Sequence, residues 1–170
     1  MSHTVKLNVK LKNRESLAKA AAVCGAEILG EGTHRLYAGN HSGFAFRLKG
    51  WQYPVVVDKE GNTFYDNFGG SWGAQSELTR FQEEYTLAAA QLECENQGWY
   101  FEKAPGVLTI FHPSGGHIVI EASGIIDASG FTGASCAEAT KQLEEALGVE
   151  LSREIKTEYN QGVVETNQVE

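Results

Sequence analysis

Cys136 is the residue whose surroundings come nearest to chemistry. Ser135 precedes it, and Glu138 follows Ser135 by three positions, the pattern of a capping box at a helix start. The thiol therefore falls in a first helical turn, where the backbone favours negative charge and lowers a cysteine pKa. A nucleophile also needs a base within hydrogen-bond reach. His112 and His117 are the nearest histidines in sequence, and no spacing fixes either beside the sulfur. Cys136 also begins the apolar stripe Cys136, Ala139, Leu143, Leu147, and free cysteine is among the most buried residue types. The pattern favours a structural thiol. No catalytic residue is assigned, and the expectation is a protein that is not an enzyme.

Other constellations are weaker still. His112, His117 and Cys136 could share a metal on paper, but structural zinc sites show paired ligands at short spacing, and none occurs. No metal and no cofactor are expected. The run Gly130 to Ser135 leads into a helix N-terminus, a geometry that suits phosphate, yet it lacks the Gly-Lys-Ser/Thr ending of a nucleotide loop. Gly133, Ser135 and Cys136 remain candidate binding residues there. Asp66, Phe68 and Trp72 sit among Gly69, Gly70 and Gly73, a turn-rich loop with two rigid aromatics of the kind that dominate binding hot spots. The alternative for Trp72 is a plug in the core beneath the helix that follows. Lys6, Lys10 and Lys12 complete the candidate binding set, with Arg35 and Arg47 as further basic groups. His3 reads as a strand-start residue. Paired carboxylates, a Ser-His-Asp order and a dinucleotide fingerprint are all missing.

These residues need elements to hold them. Val5, Leu7, Val9 and Leu11 alternate with Lys6, Asn8, Lys10 and Lys12, a strand with one buried and one wet face. Asn13 stands at an N-cap position, Leu17, Ala21 and Cys24 form a helical stripe, and Gly25 stops it. Residues 26–66 read as a meander of short strands at 34–38, 44–48, 54–57 and 63–65. The longest helix spans about 76–97, with Leu78, Phe81, Tyr85, Ala88 and Leu92 on one stripe. Strands follow at 99–103 and 107–112. Pro113 to Gly116 is the best linker candidate. A second hairpin at 117–121 and 125–128 then leads to the helix that begins at Ser135. The polar tail from Asn160 to Glu170 has little to bury and is expected to be flexible.

This order predicts an α+β fold. It is a two-layer sandwich of a mostly antiparallel sheet with helices on one face, plus a small C-terminal ββα module. The predicted divisions are 1–112, 117–159 and the tail 160–170.

Composition narrows function further. The chain has 170 residues and a net charge of −8, with +5 in the first fifty residues and −13 in the rest. A nucleic-acid binder would present a net basic domain, so nucleic acid is not expected as a partner. No apolar run approaches the roughly 20 residues of a membrane span. The three widely spaced cysteines suit free thiols in a reducing compartment. With no signal peptide visible, a cytoplasmic or plastid-stroma-like location is expected.

Two stretches resemble known families. The Ser2-His3 start, the helix 14–24, Asp66 with Trp72-Gly73, Phe81 and Tyr85, and Gln97-Gly98 resemble the chloroplast and cyanobacterial frame thirty-five family, domain of unknown function twelve fifty-seven. Ile120-Glu121, Gly130 to Gly133, Ser135-Cys136, Leu143-Glu144-Glu145, Leu147-Gly148, Arg153-Glu154 and Glu158-Tyr159 resemble domain of unknown function twenty-nine ninety-seven. A basic residue commonly precedes the Ser-Cys pair in that family, and Ala134 stands here, which weakens an anion site. The first resemblance implies a ferredoxin-like or related α+β fold. In chloroplast and cyanobacterial genomes the two modules often sit as neighbouring reading frames, sometimes near an AAA-type ATPase. Their joining here implies a fusion acting as one unit, and neither implies an activity. The expected function is a non-enzymatic protein-interaction or regulatory module, an adaptor for a protein partner. The alternative is a binder that sequesters a small anionic, nucleotide-like ligand.

Overall fold

The computed structural model describes residues 2–132 and 135–156. The expected tail, 160–170, and Gly133 lie outside the described residues. The fold is α+β, and every strand pairing is antiparallel. Two sheets form in place of one. The chain divides into two compact units. One is split in sequence, drawn from Met1–Val9 and Ala89–Glu170, and the other is continuous, Lys10–Ala88. Among the described residues no helix is long and apolar enough to cross a membrane.

The split unit is built on β1 (Ser2–Val9), β6 (Tyr100–Ala104), β7 (Val107–Phe111), β8 (His117–Glu121), β9 (Ile125–Ser129) and β10 (Gly148–Lys156). Their order is β10-β1-β9-β8-β7-β6. Alternation sets the faces, because successive side chains point to opposite sides of a strand. Val5 pairs with Ile126, Ile126 with Ile120, and Ile120 with Leu108, and all four are fully buried. Lys6, Asn8, Asp127, His117 and Glu121 point to the opposite, wet side. The helix α3 (Ser135–Leu147) packs on β1, β9 and β10. It buries Cys136, Ala139, Thr140, Leu143 and Leu147, the predicted stripe with Thr140 added.

Several expectations change here. Pro113 to Gly116 is a hairpin turn between β7 and β8, not a linker: His112 N–H donates to Gly116 O and Gly115 N–H to His112 O, both at 2.9 Å. The alternation read through Leu11 stops at Val9. Leu11 belongs to the continuous unit, where its N–H donates to Gly61 O. Gly148 does more than stop α3. It starts β10 directly, and a Cβ there would collide with the backbone of Asn8 and Val9, so the close pairing of β1 with β10 requires glycine.

The continuous unit begins with α1 (Arg14–Cys24). Asn13 caps it as expected, its Oδ1 accepting from Ser16 N–H at 2.8 Å. The meander follows as β2 (Glu27–Leu36), β3 (Gly39–Arg47), β4 (Val55–Val57) and β5 (Thr63–Phe64), in that order. A 3-10 turn at Phe68–Gly70 leads to α2 (Gln75–Gln97), which runs past the end of this unit at Ala88. Within the continuous unit the core closes on a stacked pair, Phe46 and Phe81, with ring centroids 4.1 Å apart and both side chains fully buried. Tyr85 is also fully buried, and its hydroxyl oxygen accepts from Asn13 N–H at 3.0 Å, tying α2 to the start of α1.

Phe81→Ala removes one ring of the stack and leaves a cavity. It should cost about 3–5 kcal/mol, read as a lower urea midpoint with an unchanged slope.

Candidate functional site

The predicted aromatic loop forms a surface cluster in the continuous unit. Phe68 adopts φ 47°, the only positive φ at a non-glycine residue among those described. Asp66 Oδ1 accepts from Phe68 N–H at 3.2 Å, and Trp72 N–H donates to Asn67 O at 2.9 Å, which closes the turn. Gly73 is forced by Trp51, because a Cβ there would enter the indole ring. The loop carries Trp72 outward. Its ring lies 4.8 Å from Phe68, 5.0 Å from Tyr37 and 5.4 Å from Tyr53, centroid to centroid. Phe68 is 63% exposed and Tyr37 60%. Trp72 is half-buried by its aromatic neighbours, so it belongs to this cluster and is not a plug in the main core.

The basic candidates are spread over both units. Lys6 projects from the wet face of β1 in the split unit, whereas Lys10 and Lys12 belong to the continuous unit. Lys10 Nζ donates to Asn62 Oδ1 at 2.8 Å. Arg47 pairs with Glu27, and Arg14 with Glu31. Arg35 is exposed opposite Asn40. Ser135 is the first residue of α3, one position later than a cap, and its hydroxyl donates to Thr132 O at 2.6 Å.

The split unit holds a second arrangement, which sequence reading missed. His3 faces α3 from β1. Its Nδ1 lies 2.8 Å from Cys136 Sγ, and its Nε2 lies 2.9 Å from Thr140 Oγ1. Thr140 Oγ1 lies 2.6 Å from Glu144 Oε2 and 3.3 Å from Ala137 O. A hydroxyl has one proton, and the shorter contact to a carboxylate takes it. Thr140 must then accept from His3, which places the imidazole proton on Nε2 and leaves Nδ1 to accept from the thiol. Arg153 of β10 closes the series, donating from Nη2 to Glu144 Oε1 at 2.6 Å.

Burial alone would push the Glu144 carboxyl up, but hydrogen bonding toward His3 first, then to Thr140 and Arg153, with the Arg153 charge, holds it below its ordinary value. Cys136 is 1% exposed and His3 3%. A thiol and an imidazole therefore stand within hydrogen-bond distance of each other at a buried position.

Part of this was open to sequence reading. Cys136, Thr140 and Glu144 fall at i, i+4 and i+8, one helix face. Nothing local pointed to His3, which is 133 positions away. The histidines nearest in sequence are engaged elsewhere: His112 with Ser114, and His117 with Ser129. Among the described residues no group of three or more His, Cys, Asp or Glu side chains could hold a metal ion.

Residues 117–160 match the model of a family described as protein of unknown function (DUF2997). The match takes in β8, β9, α3 and β10. No curated protein and no solved structure matches the chain.

The lowered Glu144 carboxyl sets a pH dependence. Its stabilising contribution is present above the ordinary value of 4.5 and is lost as pH falls through the lower folded-state value. Glu144→Gln should therefore lower the urea midpoint at neutral pH, and its difference from the parent should shrink steadily in acid.

Proposed function

We propose that the chain is a non-enzymatic interaction module, an adaptor or regulatory subunit that docks a protein partner through the Phe68–Trp72 cluster. The observation that carries this reading is Phe68, held in a left-handed backbone conformation with its ring largely in water. Such strain costs about 1–3 kcal/mol and persists where surrounding structure enforces it, commonly at binding and switching sites. Tyr37, Tyr53 and Trp72 extend the ring surface, and their residue types match those enriched at interface hot spots. Asp66 sits at the base of the loop, holding Phe68 in place.

The first-family resemblance and the fusion it implies point to an assembly containing an AAA-type ATPase as the partner class. The three free thiols suit a reducing cytoplasm or plastid stroma. The second reading, sequestration of an anionic ligand, has less support, because Arg47 is paired with Glu27 and Lys10 Nζ is bonded to Asn62.

Affinity capture with the full chain tests the proposal. A partner should be recovered in stoichiometric amount. Phe68→Ala and Trp72→Ala should each weaken its binding about tenfold or more, with thermal melting of the variants close to the parent. Recovery of the chain alone, or equal binding by both variants, would sink the reading.

A further inference from the structure

We propose that Cys136 is an oxidant-reactive thiol with His3 as its base, and that its reactants are hydrogen peroxide and other small hydroperoxides. The direction of the hydrogen bonds is the first argument. Thiol to Nδ1, Nε2–H to Thr140, and Thr140 to Glu144 all point the same way, from sulfur to carboxylate. Aligned hydrogen bonds polarise one another, so the carboxylate at the far end reinforces the whole series, the thiol-to-Nδ1 bond included. His3 Nε2 stands 3.8 Å from Glu144 Oε2, beyond a direct hydrogen bond, so Thr140 is the link. Arg153 holds the carboxylate charged at the outer end.

The second argument is the placement of the sulfur in the first turn of α3, where backbone N–H groups favour the thiolate. Among the described residues the titratable and charged groups facing His3 are few. From α3 they are Cys136 and Glu144, and from β10 Arg153 behind Glu144. From β9 the residue opposite His3 is Ala128.

Burial selects the reactant. Cys136 is 1% exposed, so a reactant enters only through small local openings, which exclude a peptide or acyl carrier and admit hydrogen peroxide, little larger than water. In the reaction the Cys136 proton passes to His3 Nδ1 and the sulfur attacks one peroxide oxygen. The S–O bond forms as the O–O bond breaks. The departing hydroxide takes the proton from Nδ1, leaving a sulfenic acid, water and neutral His3. Sulfur loses two electrons and the peroxide gains them. The other thiols contrast with this one. Burial pushes Cys94 up to about 12 and raises Cys24, and neither environment favours thiolate.

The test treats the folded full chain with limiting hydrogen peroxide, quenches with catalase, unfolds it in dimedone and measures the adduct at each cysteine by peptide mass spectrometry. Cys136 should be labelled about tenfold or more faster than Cys24 and Cys94. His3→Gln and Glu144→Gln should each slow Cys136 toward the other two. A bulky maleimide added to the folded chain should leave Cys136 unmodified. Labelling of Cys136 no faster than Cys94 overturns the proposal, as does rapid capture by maleimide, which would remove the size selection. Where His3→Gln does not fold, the partly exposed Glu144→Gln carries the test, and an unchanged Cys136 rate in it overturns the relay.

Discussion

The split unit depends on one strand paired on both its edges. β1, the first strand of the chain, is hydrogen-bonded to β9 on one side and to β10 on the other. Strands from opposite ends of the sequence therefore lie side by side near the edge of a six-stranded sheet. Loop closure over such separations costs entropy that grows only slowly with length. The folding rate is affected more, because long-range pairings must wait for distant residues to meet. The same pairing places His3 against α3. Shifted by one residue, Val5 and Leu7 would turn to water and Lys6 to the core, so register is strongly specified.

The two sites answer different physical demands. The His3 to Arg153 series is dry and its polar atoms are mutually satisfied, which is the condition for burying them at all. It also joins β1, α3 and β10 through side chains where the sheet alone joins only strands. The aromatic cluster is wet, and its rings keep apolar surface exposed that a monomer gains nothing by exposing. Trp51 beneath Gly73 and the Asp66 carboxylate under Phe68 fix that loop from within.

Local signals in the sequence were read correctly where one element decides them. The Asn13 cap, the α1 and α3 stripes and the alternation of β1 as far as Val9 each follow from spacing within a few residues, whereas the first meander strand, expected at 34–38, runs Glu27–Leu36. β10 was not legible. Val149, Leu151 and Ile155 are more than half exposed, so the strand carries no buried alternation to read. Gly148 looked like a helix stop because helix stops are commonly glycine, while its deciding neighbour is the backbone of Asn8, far away in sequence. The aromatic loop was identified from its residue types, but Tyr37 and Tyr53 come from other parts of the meander and only the fold adds them. His3 was set aside as a strand start because its partners are separated from it by most of the chain.

The position of β1 has a consequence for the segment that matches the family model. Within residues 117–160, β9 and β10 are not bonded to each other; each is bonded to β1, which lies outside that segment. Taken alone, the segment has a vacant slot one strand wide, bordered by two rows of unpaired amides and carbonyls. A polypeptide bearing only this segment would need a donated strand to complete its sheet. In the present chain, Ser2–Val9 are the plug.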